Sequence, residues 1–261
     1  MKIRITAIAA SIAAASGAAS AGTYWVNSPL APFDEIGGSS AQAKYRLSNT
    51  NWDHSVDYGN GTNPGQFIQS GLGNNAQLSA RTYDFRFEHI AGEGFISTMT
   101  DVTNPQNLGT PSILSWGSFT NPTGGTTTAQ LNGFAPGAAF NGLLIEARAS
   151  RAGSSMSWSN LSFVGGGLNL ADGAWASGLV DPSTSGPGDA PGFHYQRLVA
   201  DTDLSQVDWV FTARVQGVRD SSASGDETVR FVVSAKNYIP TPGAAGVMAL
   251  VALAGARRRR S

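Results

Sequence analysis

The sequence predicts an all-β fold, an antiparallel β-sandwich of jelly-roll type, and three observations carry that expectation. Short segments with an apolar/polar period of two recur along the chain. Between them stand turn-forming clusters such as Asn60-Gly61, Asn63-Pro64-Gly65 and Gly124-Gly125. The central region holds no amphipathic helix of useful length, and its wealth of Gly, Ser, Thr and Asn suits short strands joined by many turns. Cysteine is absent from all 261 residues. Disulfides, thiolate metal sites and a cysteine nucleophile are therefore excluded together, and stability has to come from an extended apolar core.

Taken in order, Thr23 to Ser40 contains Pro29, Pro32 and Gly37-Gly38 without a sustained period and reads as a loop with one edge strand at most. Lys44 to Leu47 is a short strand with Tyr45 and Leu47 on one face. Ser48 to Asn75 reads mostly as loop. The clearest strand is Ala80 to His89, where Tyr83, Phe85, Phe87 and His89 alternate with Thr82, Asp84, Arg86 and Glu88. Phe95 to Asp101 repeats the pattern, and Ala91-Gly92-Glu93-Gly94 between them predicts a hairpin. Leu108 to Thr120 and Thr126 to Phe134 are further strand candidates. Asn141 to Ala149 and Met156 to Val164, joined by Arg151-Ala152-Gly153, predict a second hairpin. Gly165 to Gly192 reads as a long loop anchored by Trp175. Val207 to Val215 and Thr228 to Lys236 alternate strongly enough to predict a third hairpin.

Both ends differ from this body. Lys2 and Arg4 precede an apolar, alanine-rich stretch from Ile5 to Ala15 and the small-residue site Ala19-Ser20-Ala21, the organisation of a signal peptide spanning residues 1–21 and cut before Gly22. Residues 239–261 open on Ile239 followed by Pro240-Thr241-Pro242, whose prolines disfavour helix in the residues before them. From Gly243 to Ala256 runs an uncharged stretch of 14 residues, followed by Arg257, Arg258, Arg259 and Arg260. A stable transmembrane helix needs about 17 to 25 residues, and arginine stems extend a short one by snorkelling while favouring the cytoplasmic side. The organisation is that of a chain exported except for its tail. A tail anchor, or a core helix with a basic extension, would use the same residues. The intervening β-domain, residues 22–238, is acidic: between residues 22 and 242 eleven basic residues face eighteen acidic ones, a net charge of about −7. That balance argues against nucleic acid as a partner, since phosphates require a basic face.

The order Pro-x-Pro, short apolar helix and terminal arginine cluster resembles the PEP-CTERM sorting signal of Gram-negative bacteria, with Thr241 where the family usually has Glu. The resemblance covers the last tenth of the chain. It implies Sec-dependent export, transient anchoring in the inner membrane and processing by an exosortase-like membrane protease near Pro242 and Gly243. It also implies final residence at the outer membrane, the cell surface or outside the cell, with exopolysaccharide among the partners. The acidic Gly/Ser-rich body, with the phrase FNGLLIEARASRAGSSMSWSNLSF, is similar to choice-of-anchor β-sandwich domains. That similarity implies no catalytic residue.

The residues themselves name few chemical candidates. His89 lies in phase with the apolar face of its strand and reads as a core histidine. His54, within Asp53-His54-Ser55-Val56-Asp57, reads as a solvated loop histidine, with a metal or carbohydrate-edge cluster as the sharper alternative. His194, near Asp189, lacks a Gly-x-Ser-x-Gly elbow to supply a nucleophile. Asp201 and Asp203 form an oxygen-rich turn suited to Ca²⁺ or to bonding its own backbone, and no other cofactor is expected. Trp52 and Trp175 are read as loop tryptophans that would stack on a glycan. The resulting expectation is a non-enzymatic structural or adhesive protein. A carbohydrate-binding module stands second, and a secreted polysaccharide hydrolase using Asp53 and Asp57 stands third.

Overall fold

The computed structural model describes residues 24–27, 33–47, 51–59, 64–74, 80–92, 94–102, 112–114, 126–132, 139–170, 175–186, 188–219 and 228–240. The signal-peptide residues 1–21 and the tail from Thr241 onward lie outside these. The first eight strands are β1 (Tyr24–Asn27), β2 (Phe33–Leu47), β3 (Asn51–Gly59), β4 (Pro64–Asn74), β5 (Thr82–Ile90), β6 (Gly94–Asp101), β7 (Ser112–Leu114) and β8 (Thr126–Asn132). They are followed by β9 (Gly142–Ala149), β10 (Ser155–Gly165), β11 (Leu168–Leu170), β12 (Gly178–Val180), β13 (Phe193–Ala200), β14 (Trp209–Val218) and β15 (Val229–Pro240). A 3-10 turn spans Leu204–Gln206.

The strands form a β-sandwich. The seven-stranded sheet has the order β1-β13-β9-β15-β2-β3-β4 and the eight-stranded sheet the order β11-β10-β14-β5-β6-β8-β7, with β12 also paired to β10. Every pair is antiparallel except β7 with β8, which is parallel. The core between the sheets follows from the period of two. Along β5 the side chains of Tyr83, Phe85, Phe87 and His89 are buried while those between them are less so. Opposite them across the sandwich, Tyr45 tilts against Tyr83 at 5.4 Å between ring centroids and Phe231 meets Phe85 edge-on at 5.5 Å. Trp209 is the centre of the aromatic packing, touching Phe87, His89, Phe95, Phe140 and Phe163. Its indole N–H donates to the Leu204 carbonyl at 3.1 Å, so its single polar atom is satisfied inside the core.

Of the three expected hairpins, only β5–β6 is one, paired from Tyr83 opposite Asp101 to Ile90 opposite Gly94. The strands β9 and β10 belong to different sheets, as do β14 and β15. Their connections cross the sandwich. The physical reason is that alternation specifies a buried face for each strand but not its hydrogen-bonding partner; two such faces can meet across the core instead of lying side by side. The regions expected to be loops at 23–40 and 48–75 hold β1 to β4. Their small and polar residues hide the period, and the ladder to β15 and onward through β2 and β3 supplies the order.

Gly165 tests how closely the sandwich is built. Its φ is +139°, and a Cβ there would stand 2.3 Å from the Asp208 carbonyl oxygen and 2.4 Å from the Trp209 Cα. Both obstacles are backbone atoms that cannot turn away. Gly165→Ala is expected to destabilise the fold by about 2 kcal/mol or more, read as a lowered urea midpoint with an unchanged m-value.

Candidate functional site

Strand β13 presents its two faces very differently. His194, Gln196 and Leu198 point inward: the His194 ring stacks on Trp158 of the other sheet at 4.8 Å, and the Gln196 amide exchanges hydrogen bonds with the backbone of Ala176. Phe193, Tyr195 and Arg197 take the outer face. In register, Phe193 stands opposite Arg148 of β9, which stands opposite Arg230 of β15, which stands opposite Arg46 of β2. The next row is Tyr195, Glu146, Val232 and Lys44, and the third is Arg197, Leu144, Ser234 and Gln42. With Lys236, two residues beyond Ser234, this outer face carries six of the eleven basic residues between 22 and 242.

The geometry along β13 is a ladder of rings and cations. The Phe193 and Tyr195 rings lie nearly parallel, 6.0 Å apart and inclined by 16°. The Arg148 guanidinium sits 5.0 Å from the Phe193 centroid and that of Arg197 6.0 Å from the Tyr195 centroid. Both distances are within the reach of cation–π attraction. Burial first, and the Glu146 carboxylate second, hold the Tyr195 hydroxyl above its ordinary pKa, so it remains a neutral donor. Arg230 donates to Glu146, and β3 continues the rows with Asp53 opposite Arg46 and Asp57 opposite Gln42, so carboxylates are interleaved with the cations. Arg197 is only 6% exposed, and its Nε and Nη1 have no hydrogen-bond partner. Buried cationic nitrogens are ordinarily paired, so this guanidinium is a high-energy group that an anion would stabilise.

The opposite surface, the outer face of the eight-stranded sheet, holds a groove of about 410 Å³ lined by Arg86, Glu88, Ile90, Val164, Val210 and Thr212, among others. Arg86 pairs with Glu88 there, Asp208 in the lining accepts from the Ala91 amide at 2.8 Å, and beside the groove Arg214 makes two bonds to Asp84 at 2.8 and 3.1 Å.

The residues singled out from sequence are scattered. Trp175 is 3% exposed and meets Phe211 edge-on at 5.9 Å. It is the anchor of its segment, and the expectation that it stacks on a glycan is corrected, because the core covers the ring. Trp52 lies in β3 opposite Leu47 and not in a loop; its side chain is outside the described residues. Asp53 and Asp57 stand in β3 opposite Arg46 and Gln42. His54 is not a solvated loop residue. It is fully buried, and its Nε2 lies 2.6 Å from the Ser97 hydroxyl of β6, a hydrogen bond from one sheet to the other. His89 is a core histidine as expected, with Nδ1 donating to the Val207 carbonyl at 2.9 Å. His194 Nε2 is buried without a hydrogen-bond partner, so no serine hydroxyl is poised on it for nucleophilic chemistry.

Asp203 caps the 3-10 turn, accepting from the Ser205 amide at 3.0 Å and hydroxyl at 2.6 Å, and Asp201 accepts from the Thr202 hydroxyl at 3.3 Å. This is the backbone-bonding form of the turn. Among the described residues no three His, Cys, Asp or Glu come together to hold a metal ion. Of the sorting residues, Pro240 closes β15 opposite Phe33, while Thr241, Pro242, Gly243 and Arg257 to Arg260 lie outside the described residues. The same holds for the expected C-terminal membrane helix; among the described residues no helix is long and apolar enough to cross a bilayer.

Phe193, Tyr195, Arg197 and Arg148 went unread as a site. The signal was present as the period of two in Phe193-His194-Tyr195-Gln196-Arg197. It was masked by the burial of both faces from Gln196 to Ala200, which erases the contrast that marks a half-exposed strand.

No protein-family model matches the chain, and no curated protein does. Among solved structures, an infectious bursal disease virus particle (Gt strain) is 9% identical, covering 92% of this chain and 90% of its own, with a TM-score of 0.10. The VP2 subviral particle of the same virus is also 9% identical over 92% of this chain and 89% of its own, with a TM-score of 0.10.

Proposed function

We propose that the chain is an exported, non-enzymatic protein of the cell surface or extracellular matrix, with a structural or adhesive role, processed at its C-terminal tail by an exosortase-like membrane protease. The observation that carries this reading is the run Pro240-Thr241-Pro242, 14 uncharged residues and four arginines, joined without a linker to β15. That strand is bonded on both sides, to β9 over Val229–Lys236 and to β2 as far as Pro240. Both neighbours are antiparallel to it, so a load applied at the processed end beside Pro240 would act on two ladders in shear, a suitable attachment for an adhesive domain. Export through the Sec translocon, transient passage in the inner membrane and exopolysaccharide as a neighbour belong to the same reading. So does the jelly-roll type of winding, for which the chain's repeated crossing between sheets from β8 to β15 is the support.

The β13 ladder favours a second reading, a carbohydrate-binding module, because aromatic rings beside guanidinium groups are the side chains that hold sugars in water.

Mass spectrometry of the native surface product tests the first reading. The expected C-terminal peptide ends near Pro242, and replacing Arg257 to Arg260 with Ala is expected to leave the chain unprocessed. Persistence of the arginine-bearing peptide in the mature surface form would overturn the proposal.

A further inference from the structure

We infer that strand β4 is a self-association edge: two copies of the chain pair β4 with β4 antiparallel, and their seven-stranded sheets join into one continuous sheet. The edge of a sheet carries backbone N–H and C=O groups that the fold itself does not use, and natural proteins blunt such edges by shortness, charge or proline. The edges of this sandwich are treated unequally. β1, β7, β11 and β12, which border the two sheets elsewhere, hold four, three, three and three residues. β4 is the outermost strand of the seven-stranded sheet and runs for 11 residues, and among the described residues nothing pairs with its far side.

The sequence of β4 carries none of the other protections. No Asp, Glu, Lys or Arg occurs from Tyr58 to Ala80, and the single proline of the strand is its first residue, Pro64. The pairing with β3 runs without a shift from Tyr58 opposite Gln66 to Asp53 opposite Gly71, so the irregularities at the two ends leave the middle of the edge regular. That middle reads Gln66-Phe67-Ile68-Gln69-Ser70, an aromatic, a β-branched residue and two amides without charge or proline, the composition of segments that pair with themselves.

Charge selects a second copy as the occupant. A two-fold contact sets the same segment against itself, and an uncharged strand does so with no like charges opposed across the new ladder. The nearest carboxylates, Asp53 and Asp57, stand one strand inward on β3. Across the joint, β3 and its copy are three strand spacings apart, about 14 Å, beyond the screening length of about 8 Å at physiological salt. The net charge of about −7 on the body therefore opposes association at low salt, and association tightens as salt rises. An interface built on ion pairs shows the reverse. The inference goes beyond the reading of export and tail processing and does not depend on it.

The test is sedimentation velocity of the purified full chain over about 1 to 100 µM. A monomer–dimer equilibrium is expected, shifted towards dimer as salt rises. Gln66→Lys together with Gln69→Lys places like charges at the joint and is expected to raise the dissociation constant about tenfold or more. Association through the apolar tail would survive that pair of changes. Because the chain has no cysteine, single cysteines placed in turn from Gln66 to Leu72 give a second measurement. In an antiparallel self-pair one residue faces its own copy, and mild oxidation at that position is expected to give a disulfide-linked dimer. Leu179→Cys, at a position 59% exposed on β12, is expected to remain unlinked. A chain that stays monomeric across the range, a dimer that the two lysines leave unchanged, or β4 cysteines that link no better than Leu179→Cys would overturn the inference.

Discussion

Trp209→Ala is expected to lower unfolding stability by about 3 to 5 kcal/mol, the range for truncating a large buried aromatic. Trp209 is 1% exposed at the point where β14 meets β5, β10 and the segment carrying Phe140. Removing it takes one partner from each of five rings and frees the Leu204 carbonyl that accepts its N–H. The cavity would be lined by rings that cannot collapse inward without leaving their own strands, so relaxation recovers little. Against a total of about 5 to 15 kcal/mol for a typical domain, such a loss removes a large share of the margin. Urea unfolding followed by tryptophan fluorescence would show it as a strongly lowered midpoint. Arg214→Ala is the contrast: both partners of its ion pair with Asp84 are more than two-fifths exposed, so water and salt screen the attraction and the midpoint is expected to move little. A Trp209→Ala chain as stable as Arg214→Ala would show that the core is not centred where the rings meet.

How much of this was legible in the sequence depended on which physical signal each element carries. β5 was legible because one face is aromatic and the other charged, so the period is visible at every residue. The sandwich followed from several such strands. What alternation does not encode is the partner across the ladder, and so β9 with β10 and β14 with β15 looked like hairpins when each pair is divided between the sheets. Of β2 to β4 only Lys44 to Leu47 was legible, and the rest was hidden for a different reason: Gly37, Gly38, Ser39, Gly71 and Gly73 have weak strand preference, and long-range pairing orders them. Trp175 illustrates the limit at the level of single residues. Its neighbours Ala174, Ala176, Ser177 and Gly178 read as loop, yet the ring itself is core. In the β13 ladder the period of two from Phe193 to Arg197 is in the sequence, but the approach of Arg148 to Phe193 needs the fold, since it comes only through the pairing of β9 with β13.

His54 provides the second large effect, through pH. Burial pushes its pKa from the ordinary 6.5 down to about 3, because a charged imidazolium between the two sheets would have no water around it. In the unfolded chain the same residue takes up a proton near pH 6.5. Between those limits the unfolded state binds a proton that the folded state refuses, so stability falls as pH falls. The contribution is fully present above about pH 6.5, declines by about 1.4 kcal/mol per pH unit below it, and reaches a loss on the order of 5 kcal/mol near pH 3. His89 and His194 are also lowered by burial and add to the same trend. The contribution of His54 is therefore read as a difference between two chains. His54→Gln keeps a group able to hydrogen-bond the Ser97 hydroxyl but cannot take up the proton. Its urea midpoint is expected to lie below that of the parent at pH 7.5, because the amide fills the ring's space poorly against Phe85. The gap is expected to narrow steadily as pH is lowered from 6.5 to 4. A gap that stays constant across that range would mean that the imidazole protonates in the folded state, and that the hydrogen bond between the sheets is open to water.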